Sequence, residues 1–505
     1  MPIKIALILI FAAVTIAVGL VCRKRASDVA GFVLGGRNVG SWLTAFAYGT
    51  SYFSAVIFVG YAGQFGWKYG MSATWIGLGN AFIGSLLAWL VLGRRTRSMT
   101  RRLGSTTMPD FFEARFGSKK LKLAASAIIF VFLIPYTASL YNGLSRVFEM
   151  AFNIPYEYCI IGMAVITAVY VVAGGYFAAA INDFIQGIIM IGGIIAVIAA
   201  VASGQGGFGD AVRKLGEISS DGVPRGSLSS LFGPDPLNLL GVVILTSLGT
   251  WGLPQMVHKF YAIKSESAVK RGTIISTVFA LVVAGGCYLL GGFGRLFDAP
   301  SVYNASGAPI YDAIIPRMLS TLPDALIGVV VMLVFSASMS TLSSLVLTSS
   351  STLTLDFIKG SISPKMTAKA QLSVMRILVV VFIFISASLA TVQYKSSVTF
   401  IAQLMGISWG ALAGSFLAPF LYGLYMKRTS TVGVWVSFAC GVGITVANML
   451  MGLGGHAFIK SPINAGAAAM LTGLIVVPIV SAFTKSPNKE HLARVFGDSG
   501  DNTAQ

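Results

Sequence analysis

The sequence predicts an all-α polytopic membrane protein with thirteen transmembrane helices. Three observations carry this reading. Of 505 residues, 55% are hydrophobic and only 11% charged, whereas soluble domains run near 25% charged. Apolar runs of about 20 residues recur along the chain, and roughly 20 helical residues span the ~30 Å hydrocarbon core. The basic residues collect in alternate loops, as Lys and Arg do on the cytoplasmic side of membrane proteins. Together these exclude a soluble enzyme, a secreted disulfide scaffold and a disordered regulator. An outer-membrane barrel is excluded as well, because its strands would alternate polar and apolar residues.

Taken in order, the candidate spans run approximately 3–22, 41–64, 71–93, 122–145, 156–178, 182–203, 236–257, 272–294, 324–352, 373–394, 399–425, 431–452 and 463–484. The first has the look of a signal peptide, but its apolar run is long, it lacks a small-residue cleavage site, and further spans follow; it reads as a helix. With the loop after it placed in the cytoplasm, 26 Lys and Arg fall inside and ten outside. The N-terminus is then outside and the C-terminus inside, as in a bacterial inner (plasma) membrane. Nine acids lie outside and eight inside, so the net charge of +18 sits almost wholly on the inner face. That charge reads as topology and attraction to anionic lipid. It does not read as a nucleic-acid footprint, since no basic-aromatic patch accompanies it. Cys22, Cys159, Cys287 and Cys440 show no CxxC spacing and read as small apolar residues. The two long loops, 204–235 and 295–323, are too short to be domains. Residues 1–484 read as one transmembrane domain and 485–505 as a polar, mobile cytoplasmic tail.

Few residues are left to carry chemistry. One acid remains inside the membrane: Asp183, at the inner start of the sixth span. It is either an acid interacting with a helix dipole or a group that holds a cation. No intramembrane Lys or Arg offers itself as a partner, which favours the cation; Lys259 counts among the inner-loop residues. In the ninth span Ala337, Ser340, Thr341 and Ser344 fall at i, i+3, i+4 and i+7 and share one helix face. Such a stripe either packs helices or offers uncharged oxygens to a weakly bound monovalent cation such as Na⁺; divalent ions want several carboxylates. Turn formers interrupt span 2 (Ala47–Ala55) and span 7 (Thr246–Gln255), five spans apart. Paired broken helices mark inverted-repeat transporters, although Gly and Pro kinks alone are common in membranes. There is no GxxxxGK[ST] loop and no HExxH. His258, His456 and His491 all read as loop residues, leaving no Ser-His pair in the membrane. An enzyme is not expected.

Several motifs resemble the sodium:solute symporter family. Gly35-Gly-Arg-Asn-Val-Gly is similar to its LGGR entry. Thr106-Thr-Met-Pro-Asp-Phe-Phe-Glu-Ala-Arg-Phe-Gly117 is similar to its inner-loop TLPDYLxxRFG. Tyr170-Val-Val-Ala-Gly-Gly-Tyr with Asn182-Asp-Phe-Ile-Gln, and Ala337-Ser-Met-Ser-Thr-Leu-Ser-Ser, match two further stretches. The resemblance implies a LeuT-like core of two inverted five-helix repeats, 41–203 and 236–425. A helix and inner loop (1–40) would precede the core and two helices (426–484) would follow it. It also implies a coupling sodium held by the carbonyls of Thr50, Phe53 and Ala337 and the hydroxyls of Ser340 and Thr341. Some members, including a sialic acid symporter, hold a second sodium; its positions match Asp183, Ser340, Ser343 and Ser344, and two ions per cycle are expected here. By position, Tyr52, Ser54, Asn80, Tyr136, Thr137, Thr250 and Trp251 would line the solute pocket.

The expected function is therefore sodium-coupled import of a small polar solute by alternating access, with no obligate protein partner. Tyr52 stands where sodium/proline symporters carry Asp, and Thr246 and Thr250 where they carry an aromatic pair. These departures disfavour proline. Gly252-Leu-Pro, Ser267-Ala-Val-Lys-Arg-Gly and Gly294-Arg lean towards the sodium/pantothenate branch and an organic acid of pantothenate or monocarboxylate type. An amino-acid or sugar symporter, or a membrane sensor without transport, are the alternatives.

Overall fold

The computed structural model describes residues 2–152, 154–220, 222–396 and 401–497. Helices dominate; among the described residues no strand forms, and pairing is limited to isolated bridges such as Val39 with Ile263. Among the described residues ten helices are long and apolar enough to cross a membrane, or eleven if the bent pair Pro236–Gly252 and Pro254–Ala262 is one span. The expected thirteen is not reached on this measure, and two of the ten are composite. Val56–Arg102 turns at Gly70, and Tyr156–Gly204 breaks at Gly175.

The break at Gly175 matters for the site. Its φ of +55° and ψ of −149° lie in a region open essentially to glycine alone. A Cβ there would also stand 2.9 Å from Phe32. Spans 5 and 6 thus part here rather than at 178–182. Asp183 lies about two turns beyond the break, where a helix dipole no longer acts, since that effect fades within the first turn.

The helix Asp324–Thr352 runs through the centre and is buried almost throughout from Val330 onward. Pro2–Val21, Ser41–Tyr52, Lys119–Phe152 and Tyr156–Gly204 pack around it. Both interrupted helices break where the sequence indicates. Ser41–Tyr52 ends at Phe53, whose φ/ψ of −82°/118° is extended. Pro236–Gly252 ends at Leu253 (−79°/122°), and its continuation Pro254–Ala262 is bent away by 44°. Pro254 explains the second break: proline lacks an N–H and pushes the residue before it out of the helical region.

The inner-loop motif has a structural role. Arg115 donates from Nε to the carbonyl of Gly423 at 2.8 Å and from Nη2 to that of Met426 at 3.0 Å. It thereby satisfies carbonyls at the end of Ile401–Tyr425, which a helix leaves orphaned. Burial lowers its pKa to about 10, still charged at neutral pH. Lys122 reaches Asp110 and Glu113 at 2.8 Å each and Asp356 at 3.6 Å. The tail reading needs correction as far as residue 496. Lys489–Phe496 is a helix with Val495 buried, and Arg102 Nη1 donates to the Val495 carbonyl at 3.1 Å. Residues 498–505 lie outside the described residues.

Candidate ion and solute sites

The break at Phe53 frees backbone carbonyls at the end of Ser41–Tyr52, and the hydroxyl stripe of Asp324–Thr352 faces them. Thr341 Oγ1 lies 3.0 Å from the Thr50 carbonyl oxygen, 3.3 Å from that of Phe53 and 3.1 Å from that of Ala337. Ser340 Oγ lies 3.3 Å from the Thr50 oxygen and 3.1 Å from the Ala337 oxygen. Thr50, Ala337, Ser340 and Thr341 are fully buried, and Phe53 nearly so. Five neutral oxygens from two helices thus converge in a dry place. Two hydroxyls cannot use all of that acceptor capacity, and the donor set suits a hard monovalent cation.

One turn along the same helix the chemistry changes. Ser343 turns back, donating to the Ser340 carbonyl at 2.9 Å. Ser344 Oγ is 2.7 Å from Ser51 Oγ and accepts from Lys259 Nζ at 2.9 Å. The Lys259 ammonium also lies 3.9 Å from Asp183 Oδ2, with the lysine side chain 3% and the aspartate 1% exposed. This corrects the sequence reading twice. Lys259 is not a loop residue, because the helix resumes after Leu253 and carries it into the core. Asp183 therefore does have a buried basic neighbour. His258, on the same helix turn, is buried rather than in a loop, and His491 lies in the tail helix.

The seven expected pocket residues divide. The hydroxyls of Tyr52, Ser54, Tyr61, Tyr136 and Tyr288 and the Trp409 indole N–H are buried and make no well-formed hydrogen bond to the rest of the protein, with Tyr52 facing Tyr288 and Tyr136 facing Ser54 and Trp409. The Trp409 ring stands 5.7 Å from that of Tyr52 and 5.9 Å from that of Tyr136, so these groups form one cluster beside the Phe53 break. The others are tied to backbone or neighbours. Thr250 donates to the Gly84 carbonyl at 2.9 Å, Trp251 to that of Ile83 at 3.0 Å, and Thr137 to that of Leu133 at 2.9 Å. Asn80 Oδ1 accepts from Ser247 at 3.3 Å, while its Nδ2 has no partner.

Residues 32–441 match the sodium:solute symporter family. The chain belongs to that family. Among curated relatives, the osmoregulated proline transporter OpuE of Bacillus subtilis (strain 168) is 26% identical over 489 residues, covering 95% of this chain and 94% of the relative. The sodium/proline symporter of Staphylococcus aureus (strain JH9) is 29% identical over 502 residues, covering 95% and 93%. Among solved structures, a substrate-bound outward-open Na⁺-coupled sialic acid symporter matches with a TM-score of 0.76 at 17% identity, covering 96% of this chain and 98% of that one. The inward-facing conformation of Mhp1 matches at 0.51 and 12% identity, covering 90% and 94%. This sodium:solute symporter accordingly has a LeuT-like transporter fold, is an integral membrane protein and not an enzyme, and uses Na⁺ as its coupling ion with a small solute.

Sequence reasoning missed Lys259, Ser51, Tyr61, Tyr288 and Trp409. Lys259 carried a readable signal: Met256-Val257-His258-Lys259-Phe260-Tyr261 is apolar enough to stay in a core once the helix is allowed to resume past Pro254. The aromatic residues carried none, since a buried Tyr or Trp in an apolar span looks the same whether it packs or binds. A separate cavity of about 590 Å³ is lined among others by Gln64, Lys68, Asp235, Arg295, Gln403 and Lys460.

Proposed function

We propose that this symporter takes up a small carboxylate-bearing solute, with one sodium held by Thr50, Phe53, Ala337, Ser340 and Thr341. The observation that carries the solute class is the buried cluster of unpartnered hydroxyls at Tyr52, Ser54, Tyr61, Tyr136 and Tyr288 with the Trp409 N–H. Each unmatched buried polar group costs about 1–3 kcal/mol, so the cluster is built for a partner that is absent. Within it Tyr52 faces Tyr288, and Tyr136 faces Ser54 and Trp409; the donors these pairs can turn to a ligand sit on uncharged side chains, and a carboxylate accepts several hydrogen bonds at once. Lys68, Arg295 and Lys460 against Asp235 give the cavity a positive balance that draws an anionic group inward. Asn80 adds one free amide donor, whereas Thr137, Thr250 and Trp251 serve chiefly as packing.

L-proline is the first candidate, favoured by the named relatives. A simple monocarboxylate or pantothenate is the second reading, favoured by Tyr52 in place of an acidic acceptor for an ammonium group. Sodium bound between the broken helix and Asp324–Thr352 would hold these two together in the outward-open state. It drives the cycle only if it binds one conformation better than the other. The repeats 41–203 and 236–425 would then rock about the site, along a path of thirteen crossings with the N-terminus outside and the tail in the cytoplasm. The test is uptake of labelled L-proline, pantothenate and short monocarboxylates into proteoliposomes under an imposed sodium gradient. Uptake of at least one, abolished without the gradient, is expected. Sodium-driven uptake of a sugar with none of the carboxylates would overturn the solute class.

A further inference from the structure

We infer that the Lys259 ammonium is a tethered cation seated in the lower polar site, so that the chain binds one sodium ion, at the upper site, and not two. The inference rests on the sodium reading of the upper site but concerns a different set of atoms. Asp183, Ser343 and Ser344 together look like a cation site: one carboxylate, two hydroxyls and a dry surrounding. The position is already filled by charge. Lys259 Nζ donates to Ser344 Oγ at 2.9 Å and stands 3.9 Å from Asp183 Oδ2. Ser344 Oγ is also engaged with Ser51 Oγ at 2.7 Å, which leaves it one lone pair at most for an added ion. Ser343 points its hydrogen to the Ser340 carbonyl. The Tyr176 ring lies 5.1 Å from Nζ, and its π-face favours a cation there. A sodium ion added beside Asp183 would sit within a few ångströms of an ammonium in a region buried from solvent, where like charges repel strongly.

The geometry also states why a lysine is tolerated in this place. A buried carboxylate is costly unless paired, and a mobile ion supplies the charge only while bound. An ammonium on the resumed half of the broken helix, Pro254–Ala262, supplies it permanently. That helix segment is hinged at Leu253, so Lys259 also ties the hinge to the central helix and to Asp183.

The experiment counts ²²Na⁺ bound per purified full-length chain at saturation. One ion is expected for the wild type. Two are expected for Lys259→Met and for Lys259→Gln, the second variant keeping a donor near Ser344 while removing the charge. One is expected again when Lys259→Met is combined with Asp183→Asn. Folding of each variant is followed by thermal unfolding, and sodium should raise the Tm of Lys259→Met more than that of the wild type. Two ions on the wild type, or one ion on both folded single variants, would overturn the inference and leave sodium symport intact. No sodium on the wild type would instead overturn the reading of the upper site, which makes the two failures distinguishable.

Discussion

The two polar clusters on the central helix are neighbours in sequence, share residue type, and differ in what faces them. Around Ser340 and Thr341 the partner is a broken helix that presents bare carbonyls. Around Ser344 the partner is the resumed half of the other broken helix, Pro254–Ala262, which presents an ammonium. The first cluster carries only partial negative charge and, on the proposed reading, takes its cation from solution. The second sets the Asp183 carboxyl and the Lys259 amine 3.9 Å apart, so it carries its own candidate cation. A serine and threonine stripe therefore does not say how many ions a transporter of this fold carries. The facing helix decides, and in particular whether it presents free carbonyls or an ammonium at that height.

The largest effect that would break this contrast comes from unpairing the lower cluster. Asp183→Asn leaves the Lys259 charge buried with only uncharged groups, Ser344 and the Tyr176 ring, named beside it. Removing one partner of a buried ion pair typically costs about 3–5 kcal/mol. Thermal unfolding in detergent should show a severe loss of stability, recovered in large part when Lys259→Met is added. If Asp183→Asn were as stable as the wild type, the 3.9 Å approach would be incidental and the lower cluster would not be a charge pair.

Next in size are the upper ligands. Thr341→Ala and Ser340→Ala each remove one ligand to a charge, worth about 1.5–3 kcal/mol, so the sodium concentration for half-maximal uptake should rise roughly 10–100-fold. Thr341 should be the worse loss, because its hydroxyl meets three carbonyls and that of Ser340 two. Unchanged sodium dependence in both variants would remove the upper site.

These expectations show what the sequence made legible. The helical membrane class, both helix breaks and the hydroxyl stripe follow from composition and from short-range pattern, since Gly, Pro and i, i+3, i+4 spacing act locally. Ala337, Ser340 and Thr341 are legible in the motif on Ala337–Ser344, Thr50 and Phe53 only by position through the family resemblance, and the structure brings the five oxygens together. Lys259 was not readable as a partner of Asp183, because 76 residues of chain separate them and only packing sets that distance. The split within the pocket residues was hidden for the same reason: a hydroxyl's position on a helix does not show whether a neighbouring backbone carbonyl already holds it. The number of crossings was blurred by breaks at Gly70 and Gly175, where one apolar run changes direction without a polar loop.

A smaller effect sharpens the boundary between ion and solute. Tyr52→Phe and Tyr136→Phe remove one hydroxyl each and leave the rings against Trp409 in place. A neutral hydrogen bond is worth about 0.5–1.5 kcal/mol, so solute half-saturation should rise roughly 2–10-fold with little change in sodium activation. If both variants transported like the wild type, the unpartnered hydroxyls would not face solute.

The smallest effect on solute handling belongs to Thr250 and Trp251, on the other broken helix. Thr250 Oγ1 is held by the Gly84 carbonyl at 2.9 Å and by its own helix at Ser247, also at 2.9 Å, and the Trp251 indole N–H by Ile83 at 3.0 Å. Their polar atoms are thus already satisfied, in contrast to those beside the Phe53 break. Thr250→Val keeps the shape and removes the two bonds. Its cost of about 1 kcal/mol should appear in thermal stability, while the ranking of solutes across the uptake panel stays as in the wild type. Trp251→Phe should behave likewise, since the six-membered ring retains much of the contact and only the N–H is lost. A reordered solute ranking in either variant would mean that these bonds open during the cycle and that the second broken helix reads the solute as closely as the first. The division of labour would then be one of conformational state and not of position.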